Sequence, residues 1–103
     1  MDRIAMLKEI LAQNPNDAFA RYGLAMELAN QGNAEAALAE FEQLTTANAD
    51  YTAGYQMSAQ LLLKSGRNEE ARQRLEAGVA AAQRTGNRLA LNEMSAMLDD
   101  LSI

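Results

Sequence analysis

The chain has 103 residues, a formal net charge of −5, 49% apolar and 5% aromatic residues and no tryptophan, a length that suits one compact domain or one short repeat array. Cysteine and histidine are both absent, which excludes disulfides, thiolate metal sites, thiol nucleophiles, imidazole bases and the usual zinc, haem and iron–sulfur ligand sets. Residues 1–50 carry 3 basic and 8 acidic side chains and residues 51–103 carry 6 of each, a balance that opposes binding to nucleic acid or an anionic membrane, both of which need phosphate neutralisation.

Ala, Leu, Glu, Gln, Met and Arg dominate and the single proline is Pro15, so helices are expected throughout and no sheet. Asp2 is placed to cap a first helix that presents Ile4, Leu7 and Leu11, with Ile10 alongside, until Asn14-Pro15 ends it. Asp2, Arg3, Lys8 and Glu9 break the stretch in which a secretory signal would need unbroken apolar residues, and no apolar run approaches membrane-spanning length; a soluble cytoplasmic protein is expected. Asp17 caps a second helix over 18–30, and Gln31-Gly32-Asn33 turns the chain into a third over 34–47. A fourth is expected over 52–64 and a fifth over 69–84, with Gly66-Arg67-Asn68 as the turn and Asn68 as the cap. On the fifth, Glu69/Arg72, Glu70/Arg74 and Arg72/Glu76 stand at helical neighbour spacing and read as a solvated outer face. After Thr85-Gly86-Asn87 comes a sixth helix. On it Ala90, Leu91, Met94, Met97, Leu98 and Leu101 fall within one arc of roughly 120°, backed by Asn92, Glu93, Ser95, Asp99 and Asp100.

Compared with itself, the chain repeats at an offset of 34 residues: Gly32 recurs as Gly66, Ala37 as Ala71, Leu28 as Leu62 and Ala25 as Ala59. Two further series are Leu7, Phe41, Leu75 and Ile10, Leu44, Gly78; the shrinkage to glycine at the end of the second predicts a closer helix approach there. The first full unit reads Arg21-x2-Leu24-Ala25-x2-Leu28, then Ala37-x3-Phe41, then Ala49, and the second reads Tyr55-x2-Ser58-Ala59-x2-Leu62, then Ala71-x3-Leu75, then Gln83. This pattern resembles the tetratricopeptide repeat, W-x2-L-G-x2-Y, then A-x3-F, then P. Arg21 replaces the aromatic, and Ala49 and Gln83 replace the proline. The resemblance implies an all-α solenoid: a leading half-repeat helix over 1–16, one repeat over 17–50, a second over 51–85, and a capping helix over 86–103. The chain is also similar to short bacterial proteins of this type and length, a likeness that implies a fold and no defined activity.

In such an array the first helix of each pair lines a concave surface, which the resemblance makes the place for a protein or peptide. On the second helix, Leu24 and Leu28 share one side while Phe19, Tyr22, Met26 and Ala29 form a separate apolar stripe. It can be packing, with Phe19 and Tyr22 against the first helix and Met26 filling space, or the floor of a groove that takes an apolar anchor. The equivalent positions on the fourth helix are Ala53, Gln56, Gln60 and Leu63, with Lys64 adjacent; the glutamines are either solvated or donors to a peptide backbone. The carboxylate clamp of some members is not implied, because Tyr22, Met26, Ala53 and Met57 occupy its places.

A binding or scaffold module is therefore the first expectation. A self-associating structural protein is the alternative, through terminal helices where Leu89, Ile103 and several methionines meet a second copy. An enzyme is not expected. Asp99-Asp100 and Glu69-Glu70 are adjacent carboxylates on different helix faces, Ser58 and Ser65 have no base, and no cofactor or metal is implied. Nor is nucleic acid, since Glu69, Glu70 and Glu76 interrupt the one basic stretch, Lys64 to Arg88.

Overall fold

The structure is a computed structural model that describes residues 2–102. Six helices make up the described chain: α1 (Arg3–Gln13), α2 (Ala18–Asn30), α3 (Ala34–Ala47), α4 (Thr52–Lys64), α5 (Asn68–Thr85) and α6 (Arg88–Leu101). This is the all-α, two-pair order with one extra helix at each end that the sequence predicts.

Local chemistry sets the boundaries. The Asp2, Asp17, Asn33 and Asn87 side chains each accept from the backbone N–H three residues on, at 2.7, 3.0, 3.4 and 3.1 Å, satisfying donors that a helix start leaves unpaired. Gly32 and Gly66 close the first helix of each pair at φ of 83° and 76°, and the following residues, Asn33 and Arg67, donate back to Leu28 O and Leu62 O at 2.9 and 2.8 Å. These are left-handed caps that a side-chain-bearing residue would strain. The expectation for Asn68 is corrected. Arg67 takes the cap position of α5 and makes no side-chain cap bond. The 34-residue offset from Asn33 leads to that same residue, and Asn68 falls inside the helix.

The chain divides into two compact units, Met1–Asn48 and Ala49–Ile103. In the first, α2 packs against both α1 and α3, burying Leu7 and Leu11 of α1, Ala20, Leu24, Ala25 and Leu28 of α2, and Ala37 and Phe41 of α3. Ile10, grouped with the core by its spacing, is instead 40% exposed. In the second, α5 packs against α4 and α6, and α4 also meets α6. Tyr55, Ala59, Leu75, Ala81, Ala82, Ala90 and Met94 form this core, with Val79, Leu91, Met97, Leu98 and Leu101 packed against it. The apolar arc of α6 is thus the face that it buries. The close approach expected at Gly78 is present: a Cβ there would lie 2.8 Å from Tyr55 Cβ and nearer still to Met94 Sδ, so only glycine lets α4 and α6 close on α5 at that level.

Candidate functional site

The predicted binding residues lie on the first helix of each pair. On α2, Phe19 stands two residues beyond the Asp17 cap and is 79% exposed. Tyr22 is half-buried, its ring meeting Phe41 of α3 edge-on with centroids 6.2 Å apart at 64°. Burial pushes the Tyr22 phenol above its ordinary pKa, because the phenolate would lose water. Met26 is half-buried. The packing account therefore fails for Phe19, which is open, and is changed for Tyr22, whose ring rests on α3. At Gly23, between them, the neighbour is α1: a Cβ would stand 3.4 Å from a Leu7 methyl.

On α4, Gln60 and Lys64 are exposed and Gln56 and Leu63 are half-buried. Gln56 is not free to meet a ligand with its whole amide, because its Nε2 donates to Glu93 of α6 at 3.5 Å. Two shallow depressions also lie in this unit, one at the α5–α6 turn lined by Ala82, Gln83, Gly86, Asn87, Arg88 and Leu91, the other at the start of α4 lined by Asp50, Tyr51, Thr52 and Ala53. Gln56, Gln60, Leu63 and Lys64 line neither.

A pair of side chains that sequence reasoning did not bring together ties each first helix to its second. In the first unit the Arg21 guanidinium meets Glu40 at 2.7 Å and donates to Pro15 O at 3.1 Å. In the second, at the same repeat positions, the Arg74 guanidinium lies over the Tyr55 ring, 4.9 Å from its centroid, while Tyr55 OH donates to Ala49 O at 2.9 Å. The cation has changed helices and the contact has stayed. Arg74 also donates to Ser58 Oγ at 3.1 Å, so it is not part of the solvated outer face in which its spacing placed it. On that face Glu69 meets Arg72 at 3.6 Å, and Glu70 is held by Arg67 at 2.7 Å. The Arg67 hydrogen bond holds the Glu70 carboxyl below its usual range. Once Arg21 and Glu40 are known to meet, the offset of 34 leads to Tyr55 and Arg74.

Among the described residues no helix is long and apolar enough to cross a membrane.

The comparisons with known proteins agree with this architecture. The family model for the tetratricopeptide repeat matches residues 4–61 and 28–91. The TPR repeat-containing protein PA0015 of Pseudomonas aeruginosa is 30% identical over 95 residues, 92% of this chain and 90% of that protein. A tetratricopeptide repeat domain protein from Salinibacter ruber, solved by crystallography, is 30% identical with a TM-score of 0.76, over 84% of this chain and 96% of that one. PcrH, solved in complex with the chaperone binding region of PopD, is 17% identical with a TM-score of 0.88, over 96% of this chain and 75% of that one, a likeness of fold. The chain belongs to the tetratricopeptide repeat family.

Proposed function

We propose that this chain is a non-catalytic, cytoplasmic protein-interaction module whose first unit takes an apolar side chain of another protein on the exposed face of α2 and whose second unit contacts protein backbone along α4. On α2, Phe19, Tyr22 and Met26 receive the apolar side chain; on α4, Gln60 and Lys64, with the remaining amide valence of Gln56 and the methyls of Leu63, meet backbone groups. The repeats that carry these helices span 17–50 and 51–85, between terminal helices over 1–16 and 86–103. One observation carries the reading: Phe19 is 79% exposed on a helix whose other large apolar side chains are buried or half-buried, and a solvated phenylalanine on the same stripe as Tyr22 and Met26 offers apolar surface to a partner. PcrH, of the same fold, was solved holding a segment of another protein.

The test is a photo-crosslinking amino acid at position 19, with position 39 on α3, also exposed, as control. A partner that crosslinks from 19 and not from 39, and is lost on Tyr22→Ala with Met26→Ala, supports the reading. Equal crosslinking from the two positions would sink it.

A second reading, association of copies through the terminal helices, is favoured by Leu89 on α6, 71% exposed. Ile103, assigned to the same contact, lies outside the described residues.

A further inference from the structure

Four large apolar side chains are exposed among the described residues: Met6 (44%), Ile10 (40%), Phe19 and Leu89. Three of the four fall on the repeat positions that join a first helix to a second. Leu89 is 34 residues after Tyr55, which is 34 after Arg21; Met6 is 34 before Glu40, which is 34 before Arg74. Within the chain these positions contact each other as Arg21 with Glu40 and as Tyr55 with Arg74. Ile10 precedes Leu44 and Gly78 in the same way; both of those are buried, and a Cβ on Gly78 would press on Tyr55.

We propose that α6 of one copy docks antiparallel on α1 of a second copy, Leu89 of the first seating on Met6 and Ile10 of the second as Tyr55 seats on Arg74 and Gly78. Continuity with the intrachain helix pairs sets the register, and charge complementarity supports it. One turn further along the first helix and one turn back along the second, the pairs place Ala25 with Ala37 and Ala59 with Ala71, all fully buried. On the exposed faces of α6 and α1 the same positions hold Glu93 and Arg3, opposite charges in place of two small apolar side chains. Both are available: Glu93 is exposed with only the 3.5 Å contact from Gln56, and the Arg3 side chain is 60% exposed, 3.8 Å from Glu27. Asn92 and Ala96, where the second pair has Ser58 and Leu62, make this contact more polar and less apolar than the intrachain one, so association is expected to be weak. The contact is heterologous, so each copy offers one α6 and one α1.

This deepens the self-association reading and is independent of the α2 face. Sedimentation velocity from about 10 µM to about 1 mM covers weak association. The full chain should grow in mean mass with concentration, while Leu89→Asp and Met6→Asp, both at exposed positions and checked for unchanged helicity, should stay monomeric. An equimolar mixture of the two variants should form a dimer and nothing larger, because one supplies α6 and the other α1. Arg3→Glu and Glu93→Arg should each weaken association and together in one chain restore it. A chain that stays monomeric throughout overturns both this interface and the self-association reading. Association that survives Leu89→Asp and Met6→Asp, or a mixture that stays monomeric, overturns the interface alone.

Discussion

Removing the Glu40 carboxylate tests whether the exchanged pairs tie each first helix to its second. In Glu40→Ala the Arg21 guanidinium, whose side chain is only 12% exposed, loses its 2.7 Å partner and keeps the Pro15 carbonyl. An exposed ion pair is worth about 0.2–1 kcal/mol, and one removed from a fully buried setting costs about 3–5 kcal/mol. With Glu40 at 24% exposed and the Pro15 bond retained, we expect a loss of about 2 kcal/mol. Arg21→Ala lets Glu40 rehydrate and should cost less, and the Arg21→Ala, Glu40→Ala cycle should give a coupling of about 1 kcal/mol. Urea titration of helical circular dichroism reads these as shifts of midpoint at constant slope. The double variant Arg21→Tyr with Glu40→Arg writes the second pair into the first unit, and should lie well above the sum of its single changes. A cycle coupling below about 0.3 kcal/mol, or a double variant no better than that sum, would refute the reasoning.

The two mid-helix glycines should respond with opposite sign. Gly78→Ala should lose about 1–3 kcal/mol through overpacking against Tyr55 Cβ and Met94 Sδ, whereas Gly23→Ala, whose Cβ meets Leu7 at ordinary contact, should gain up to about 1 kcal/mol of helix propensity; thermal melts separate them. Phe19→Ala should leave stability within about 0.5 kcal/mol, because its ring is solvated, while abolishing co-purification of the partner that crosslinks from position 19. The Glu70 carboxyl, titrated by NMR, should protonate below the ordinary glutamate range and return toward it in Arg67→Gln. Its folded pKa is lowered, so the Arg67 contact stabilises the chain above the unfolded pKa and is lost as pH falls through the folded one.

Helix order and nearly every boundary could be read from the sequence because capping side chains and left-handed glycines are local signals, acting within a few residues of where they stand. The apolar arc of α6 was legible for the same reason. The Asn68 cap was misread because an isolated Asn after Gly-Arg is as good a cap by type as Asn33, and only the offset distinguishes them. Phe19 was legible as apolar and not as exposed: hydrophobic spacing marks a face, and which side of that face a neighbour covers is a tertiary fact. The Glu70/Arg74 pairing failed because helical spacing permits a contact without excluding a better one, and Arg74 finds Tyr55 and Ser58 on α4.

The exchange at positions 21/40 and 55/74 shows what the repeat conserves within this chain. Arg21 and Tyr55 share little chemistry, yet each donates to the carbonyl six residues before it and each meets a side chain on the second helix. Both pairs thus combine a hydrogen bond donor that reaches back with a complementary neighbour across the pair, and the cation stands on either helix. Leu89, third in the same series, has no polar atom with which to reach back, and Gln83, the residue six before it, lies inside α5 with its carbonyl accepting from the Gly86 N–H. The proposed α1 of a second copy would supply the neighbour that Leu89 lacks, and Leu89→Asp should therefore weaken association while leaving the stability of the monomer within about 0.5 kcal/mol, read by urea titration.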